Sequence, residues 1–253
     1  MSRRGERGMP EIFSEVLGRP VRVPDEPRRI VSLAPAITET LYLLGLEDRI
    51  AAVSHFCNKP PEARKKPRIG SYFKVNYSKL EEIQPDLVLV TTGAQRRLAL
   101  ELAEKGYPVY PVELPVTLHG ILQNIVIVGH VTNRTREARR LASRVAQHLE
   151  TTRGALGGRA YYEIWLGGPV SAGRYSYISD ALNHLGLENC MDTHPEPWVI
   201  NPDPEEVRRC DPDIIIYEVP PYTPDAEKHA VKSLRERGLH KLPAAEKGVI
   251  LLP

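Results

Sequence analysis

Two pairs of histidine and cysteine side chains are close enough in the sequence to share a metal ion. His55 and Cys57 are two residues apart, and Cys190 and His194 are four apart. An imidazole and a thiolate together suit zinc or haem iron. However, no set of four such residues occurs at ligand spacing, so the sequence does not predict a dedicated structural metal site or a prosthetic group.

The common catalytic motifs are absent from the sequence. There is no P-loop, no G-x-G-x-x-G after a strand, no G-x-S-x-G and no H-E-x-x-H. His119 and His130 flank an apolar helix and are interpreted as core or capping residues. Because no nucleophile is brought together with a base, we expect a binding protein and not an enzyme.

Composition is typical of an ordinary globular protein. The 253 residues are 42% hydrophobic and 26% charged, with a formal net charge of +2. Basic residues cluster near the N-terminus, at 64–66 and at 134–144, but acidic residues or apolar periodicity interleave with most of them. This pattern is typical of solvated faces, so we expect no nucleic-acid partner.

The three cysteines, Cys57, Cys190 and Cys210, show neither C-x-x-C spacing nor an even count. A disulfide framework is therefore not predicted, and a single bridge between Cys190 and Cys210 is left open. The basic N-terminus is not followed by an apolar run of seven or more residues, and no window resembles a membrane span. The sequence as written predicts a cytoplasmic protein, or a periplasmic or extracellular one if a leader was removed.

Alternating β-like and α-like segments predict two similar α/β lobes. The run from Arg29 to Leu33 reads as a strand, and Pro35 starts a helix with Gly45 as its C-cap. Further strands are predicted at Ile50 to Ser54, Leu87 to Thr91 and Val109 to Val112, with helices among them. The pattern then starts again with the segments AYYEIW, YISDALNHLGLEN, DPEEVRRCDPDIIIYE and GVILL. Such alternation favours parallel sheets covered by helices.

Two local echoes support this duplication. LLGLED at 43–48 matches HLGLEN at 184–189, and LEEIQPDLVLV at 80–90 matches PEEVRRCDPDIII at 204–216. An alternative is that helix C-caps and acidic turns before buried strands simply recur in α/β proteins. Between the halves, REARRLASRVAQHLETTRG predicts one amphipathic helix with an arginine-rich outer face.

We therefore predict an α/β fold with two Rossmann-like lobes, mainly parallel sheets and a single long helix joining them. The expected boundaries are an N-terminal extension at 1–27, a first lobe at 28–132, a linking helix at 133–156 and a second lobe at 157–253.

The segments RRIVSLAPAITETLYLLG, VSHFCNKPPEARKKPRIG, LEEIQPDLVLV, SAGRYSYISDALNHLGLEN and PEEVRRCDPDIII carry a resemblance across residues 28–253. In their order and spacing the chain resembles the helical-backbone substrate-binding proteins that deliver cobalamin, haem and ferric siderophores to ABC transporters. It is most similar to the cobalamin-receptor branch, in a group without an evident signal peptide. The resemblance implies a monomer, without a membrane span of its own, that closes its interlobe cleft over a small-molecule ligand.

The resemblance implies an aromatic ligand site. Phe56, Tyr72 and Trp198 match positions at which aromatic rings contact the macrocycle, whereas Thr91 and Val170 stand where aromatic residues are expected. Lys74 is a further candidate for neutralising an acidic ligand. The other residues expected to border the cleft are Cys57, Trp165, Arg174, Tyr175, Tyr177, Tyr222 and His229. Trp165 and Tyr177 could equally be buried core anchors.

Glu81 and Glu205 match the acidic pair that docks onto arginines of the dimeric ABC permease in this family. Each could instead only begin a helix, where a carboxylate is favoured by the helix dipole. The main hypothesis is capture of a corrinoid, or of haem or a ferric chelate, for an ABC importer. The alternatives are an intracellular corrinoid- or tetrapyrrole-handling enzyme and a ligand sensor on the same fold.

Overall fold

The computed structural model describes residues 11–219 and 225–252, with the backbone alone at 226 and 227. The chain forms two compact units. Unit 1 comprises the residues up to 114 together with 122–146, and unit 2 comprises 115–121 together with the residues from 147 onward. Both units are α/β, as the sequence predicts.

Unit 1 is built on a five-stranded, all-parallel sheet in the order β5-β4-β3-β6-β7. Its elements before residue 114 are β1 (Glu11–Ser14), β2 (Arg19–Arg22), β3 (Ile30–Ser32), α1 (Pro35–Leu43), β4 (Ile50–Ser54), β5 (Arg68–Gly70), α2 (Tyr77–Ile83), β6 (Leu87–Thr91), α3 (Arg96–Glu104) and β7 (Val109–Val112). Single 3-10 turns lie at Glu47–Arg49, Pro61–Lys65 and Gly93–Gln95. The predicted bounds of β4, β6 and β7 are confirmed.

Helices cover both faces of the unit 1 sheet, which explains why its strands are continuous apolar runs. All five residues of β6 are buried. Its Leu87 and Leu89 pack with residues of α1, whereas Val88 and Val90 pack with residues of α2 and α3. Alternate side chains of one strand therefore enter two separate apolar layers.

A β-hairpin precedes the parallel sheet, within the region predicted as an N-terminal extension. β1 and β2 pair antiparallel, with Ile12 opposite Val21. Val21 and Val23 are buried in the core of unit 1, and the Arg19 guanidinium donates to the carbonyl of Ala103 at 2.9 Å. Residues 11–23 are therefore part of the packed unit.

Two helices follow β7, namely α4 (Leu118–Val131) and α5 (Thr135–Glu150). They pack closely where Gly129 meets Ala138, since a Cβ on the glycine would lie 2.2 Å from the alanine Cβ. α5 is the helix predicted within 133–156, and its 16 residues give a length of about 24 Å. The division between the units falls within α4, after residue 121, and within α5, after residue 146.

Unit 2 contains a six-stranded mixed sheet in the order β11-β9-β8-β12-β13, with β10 also paired to β8. β8 is parallel to β10 and β12, β12 is parallel to β13, and β9 is antiparallel to both β8 and β11. The elements are β8 (Arg159–Trp165), β9 (Pro169–Ala172), α6 (Tyr177–Leu185), β10 (Glu188–Asn189), β11 (Trp198–Ile200), α7 (Pro204–Cys210), β12 (Ile214–Glu218), α8 (Ala226–Glu236), α9 (Pro243–Lys247) and β13 (Val249–Leu252), with a 3-10 turn at Leu239–Lys241.

The first sequence echo corresponds to the same helix ending in both units. Gly45 after α1 and Gly186 after α6 adopt positive φ angles of 68° and 90°. The amide that follows each glycine donates to a carbonyl five residues earlier in the helix: Leu46 to Leu41 and Leu187 to Leu182. This is the glycine-terminated helix end that the sequence predicts.

The second echo is a shared way of joining a helix to a buried strand. α2 and α7 both end in a left-handed residue, which is followed by proline and aspartate. The Asp86 carboxylate accepts from the backbone N–H groups of Arg28 and Arg29, and the Asp213 carboxylate accepts from that of Arg159. Each aspartate therefore satisfies backbone donors at the entry of the neighbouring strand, β3 or β8.

Cys190 and Cys210 form a disulfide that ties the residue after β10 to the last residue of α7. The possibility left open by the sequence is thus realised in the structure. Cys57 remains a free thiol and is buried. Within residues 11–219 and 225–252, no helix is long and apolar enough to cross a membrane.

Candidate functional site

The loops that follow the parallel strands of unit 1 gather aromatic side chains at the carboxyl edge of the sheet. Phe56 follows β4 and Tyr72 follows β5, and their rings are edge to face with centroids 6.0 Å apart. Tyr72 also meets Phe73 edge to face at 5.4 Å. The structure thus brings the predicted Phe56 and Tyr72 together. We call Phe56, Tyr72 and Phe73 the aromatic edge of unit 1.

Phe73 belongs to this edge although the sequence analysis did not select it. Its side chain is 62% exposed. The available signal in the sequence was a second aromatic residue directly after Tyr72. Carboxyl edges of parallel sheets are the usual ligand sites of open α/β folds.

Partly buried hydrogen bonds fix the loop that carries Phe56. Arg68 donates to the carbonyls of Ser54 and Cys57 at 2.6 and 2.9 Å, and to the Asn58 side chain at 3.2 Å. The Phe56 amide donates to the Ser54 hydroxyl at 3.3 Å. The loop is therefore preorganised, because its orientation does not depend on a ligand.

A buried side-chain amide ties three other parts of the same edge. The Gln95 carboxamide donates to the carbonyls of Leu33 and Tyr72, at 3.0 and 2.9 Å, and accepts from the Thr91 amide at 2.9 Å. Gln95 has no exposed surface. The ends of β3 and β6 and the loop after β5 are therefore joined through one residue.

Cys57 does not lie on the aromatic edge. Its side chain is fully buried in the core of unit 1, with Sγ 3.2 Å from the Ser54 hydroxyl and 3.8 Å from the Ser32 carbonyl. His55 is exposed, and its Nδ1 bonds to the Gly70 carbonyl. The imidazole and the thiol therefore face different surroundings, and the closely spaced pair is not arranged as metal ligands.

In unit 2, the predicted aromatic residues lie on opposite faces of the sheet. Trp165, at the end of β8, packs with the cluster that contains Tyr161, and its ring lies 4.7 Å from that of His229. Trp198 packs with the cluster that contains Tyr162, and its ring lies 6.3 Å from that of Tyr177. Because Tyr161 and Tyr162 are successive residues of β8, their side chains point to opposite faces.

Arg174 and Tyr175 lie in the turn that joins β9 to α6. Both are exposed, and the Arg174 guanidinium is paired with Asp192 at 3.3 Å. The same turn is packed tightly, because a Cβ at Gly173 would lie 2.0 Å from the Glu196 carbonyl oxygen. Tyr222 lies outside the described residues.

The tyrosines near the end of β12 are held as neutral phenols. Tyr162 donates to the Glu218 carboxylate. Burial, followed by the charge of Glu218, raises the pKa of Tyr162 and of Tyr177 above the usual range for phenols. These groups therefore act as hydrogen-bond donors and apolar faces, not as phenolates.

A buried ion pair lies on the other face of β8. Glu163 has no exposed surface and accepts from the Arg237 guanidinium, at the end of α8, at 2.5 Å. Tyr161 donates to the same carboxylate, and burial raises the pKa of its phenol well above the usual range. Both oxygens of the buried carboxylate are thus used, which offsets its desolvation.

The second predicted histidine and cysteine pair is used for other purposes. Cys190 is in the disulfide, and the His194 ring lies 2.9 and 3.1 Å from the two oxygens of Glu206. The Thr193 hydroxyl donates to Glu206 at 2.9 Å, and the pKa of that carboxyl is lowered, mainly by the hydrogen bond with His194. Among the described residues, no group of three or more His, Cys, Asp or Glu side chains could hold a metal ion.

Glu81 is the fifth residue of α2, and Glu205 is the second residue of α7. Both are exposed. Glu205 pairs with Arg208 on its own helix at 2.7 Å, and its amide donates to the capping carboxylate of Asp203 at 3.0 Å. Within the part of the chain that the structure describes, Glu81 forms no ion pair.

Comparison with known proteins reveals similar sequences. A vitamin B12-binding protein of Vibrio cholerae is 31% identical over 126 residues, which cover 49% of this chain and 45% of that protein. The chain therefore spans less than half of this relative's length. A vitamin B12-binding protein of Pectobacterium carotovorum is 26% identical over 197 residues, 75% of this chain and 71% of that protein.

Solved structures share the fold. The periplasmic vitamin B12-binding protein of Vibrio cholerae superposes with a TM-score of 0.72 at 23% identity, covering 90% of this chain and 88% of that one. A periplasmic haem-binding protein from Pseudomonas aeruginosa gives a TM-score of 0.77 at 20% identity, covering 89% and 84%. Residues 30–252 match the family described as periplasmic binding protein. The family resemblance is therefore confirmed, and the chain belongs to the periplasmic binding protein family.

Proposed function

We propose that this protein captures a corrinoid for an ABC importer, with haem and ferric chelates as the alternative ligands. The observation that carries the proposal is the aromatic edge of unit 1. Its rings stand edge to face on a preorganised loop system at the carboxyl end of a parallel sheet. Rigid aromatic faces suit a large, flat macrocycle, because they bury much area at little cost in side-chain entropy.

The relatives support a corrinoid over the other ligands. The two sequence relatives described above are vitamin B12-binding proteins.

Two positions depart from the aromatic pattern of the family, and the structure shows what they do. Thr91 and Val170 are buried, at 7% and 8% exposure. The backbone amide of Thr91 donates a hydrogen bond to the side-chain oxygen of Gln95. Val170 pairs with Ile164 and Ile200 in the sheet. We infer that Phe73 supplies a ring that these positions lack.

Ligand titration tests the proposal. Purified protein is titrated with cyanocobalamin, hemin and a ferric siderophore, and binding is followed by absorbance and calorimetry. Phe56→Ala and Tyr72→Ala should each weaken binding roughly tenfold or more, because each removes a large contact face. Phe13→Ala is the control, since Phe13 is an exposed aromatic residue of unit 1 outside the aromatic edge.

The outcomes separate the possible readings. If cyanocobalamin binds most tightly, the ligand is a corrinoid. If hemin or the siderophore binds most tightly, the same site serves that alternative ligand. Dissociation constants weaker than millimolar for all three probes would contradict the proposal. Chemical turnover of a bound probe would favour the intracellular enzyme instead.

We further propose that Glu81 and Glu205 contact the permease. Both are exposed, and each lies on the helix that precedes a buried strand in its own unit, which supports one contact from each unit. Glu81→Gln and Glu205→Gln should leave the ligand dissociation constant unchanged and weaken stimulation of the cognate transporter's ATPase. Glu82→Gln is the control, because this carboxylate is exposed on the same helix as Glu81. Equal loss with all three variants would contradict a specific contact.

A further inference from the structure

The carboxamide of Gln95 is the most completely used polar side chain at the edge of the unit 1 sheet. It lies in the turn Gly93–Gln95, between β6 and α3, and has no exposed surface. Its oxygen accepts from the Thr91 amide, and its nitrogen donates to the carbonyls of Leu33 and Tyr72. Both hydrogens and one lone pair of the amide are therefore committed to backbone groups.

These bonds join elements that are distant in the sequence. Leu33 follows β3, Thr91 ends β6 and Tyr72 lies in the loop after β5, so Gln95 bridges separations of 62 and 23 residues. The chain closes the Tyr72 loop locally through the Ser71 amide, which donates to the Lys74 carbonyl at 2.8 Å. That local bond shapes the turn, whereas the bond from Gln95 fixes where the turn stands over the sheet.

Replacing the amide would release the Tyr72 backbone in particular. A buried carbonyl without a donor costs free energy, and a loop that can reach water relieves that cost by moving outward. Leu33 continues directly from β3 and donates its own amide to Leu89 at 2.9 Å, so it is held by the sheet. The loop that carries Tyr72 is the part free to shift.

We propose that Gln95 is a positioning residue for ligand binding, because it fixes the backbone at Tyr72 and thereby holds its ring beside Phe56. This inference rests on the proposed function. It predicts that Gln95 controls affinity through Tyr72 while contacting no ligand itself.

A double-mutant cycle tests the proposal. Gln95→Met keeps the length of the side chain and removes its donors and acceptor, and Gln123→Met, at an exposed position of α4, is the control. With cyanocobalamin or hemin, whichever the wild type binds, Gln95→Met should weaken binding about tenfold and Gln123→Met should not. In a Tyr72→Ala background the effect of Gln95→Met should vanish, because the ring that it positions is gone. An equal loss in both backgrounds would overturn the inference.

A second measurement does not depend on a ligand. Hydrogen exchange followed by mass spectrometry should show faster exchange in peptides covering residues 70–76 of Gln95→Met. α3 should be unchanged, and β6 should change only at the Thr91 amide, which loses its acceptor. A uniform increase across unit 1 would mean that Gln95 is only a stabilising core residue, and no increase would overturn the inference. If the wild type binds none of cyanocobalamin, hemin and the ferric siderophore, the proposed function fails, and the exchange experiment still decides the role of Gln95.

Discussion

Removal of the Cys190–Cys210 bridge should destabilise unit 2 selectively. The bridge closes a loop of 20 residues, and the chain-entropy relation for a loop of that length gives about 3 kcal/mol. With a urea slope of roughly 2 kcal/mol per M, the unfolding midpoint of unit 2 should fall by about 1.5 M in a Cys190→Ala, Cys210→Ala double variant. Replacing both cysteines avoids leaving a reactive thiol.

The chain offers a natural assay for this effect. Both of its tryptophans, Trp165 and Trp198, lie in unit 2. Tryptophan fluorescence therefore follows the unfolding of unit 2 alone, whereas far-UV circular dichroism follows both units. Reductant should shift the fluorescence transition of the wild type in the same direction as the double variant, and it should leave the double variant unchanged.

A thiol count provides the control. Denatured but unreduced protein should show one reactive thiol, that of Cys57, and three after reduction. Three thiols without reduction, or the same fluorescence midpoint with and without reductant, would refute the reasoning. A bridge that persists would also support an oxidising compartment, where such bonds are stable.

Five further substitutions test three kinds of interaction inside the units. Glu206→Gln should lower the free energy of unfolding by about 1 kcal/mol at pH 7. Because the pKa of this carboxyl is lowered in the fold, the difference in stability from wild type should shrink as the pH falls below about 4. Urea unfolding at pH 7 and pH 3 measures this difference. Arg237→Met should destabilise unit 2 by about 3–5 kcal/mol in fluorescence-detected unfolding, since the buried Glu163 loses its cationic partner. Adding Glu163→Gln should restore part of the lost stability. Asp86→Asn should cost about 1 kcal/mol of stability in the circular dichroism transition without moving the fluorescence transition. Asp213→Asn, in unit 2, should instead move the fluorescence transition. A fluorescence shift with Asp86→Asn and none with Asp213→Asn would contradict the role of these residues at the strand entries.

The central strands and their helices could be predicted because their side chains enter apolar layers on both faces. β4, β6 and β7 begin and end as predicted. The short strands β5 and β11 were missed, since three residues do not establish a period of two and prolines surround β11. Strands of that length exist because neighbours supply the pairing.

The candidate site was predicted only in part, because burial and pairing of polar groups depend on the fold. Phe56 and Tyr72, selected through the family resemblance, lie side by side at one edge, and their contact with a ligand stays a prediction. Cys57, one residue after Phe56, is buried in the core, because the chain turns after β4 and the Cys57 amide donates back to the Ser54 carbonyl. Gln95 carried no sequence signal, because a glutamine between a strand and a helix is normally solvated.

The two ties on α7 have a mechanical consequence. The disulfide fastens the last residue of the helix, and Glu206 fastens its first turn, to the segment that leads to Trp198. A shift or rotation of α7 therefore moves this segment with it, so that the helix and the segment behave as one rigid body. If a partner displaced α7 at Glu205, the two ties would transmit that displacement to Trp198.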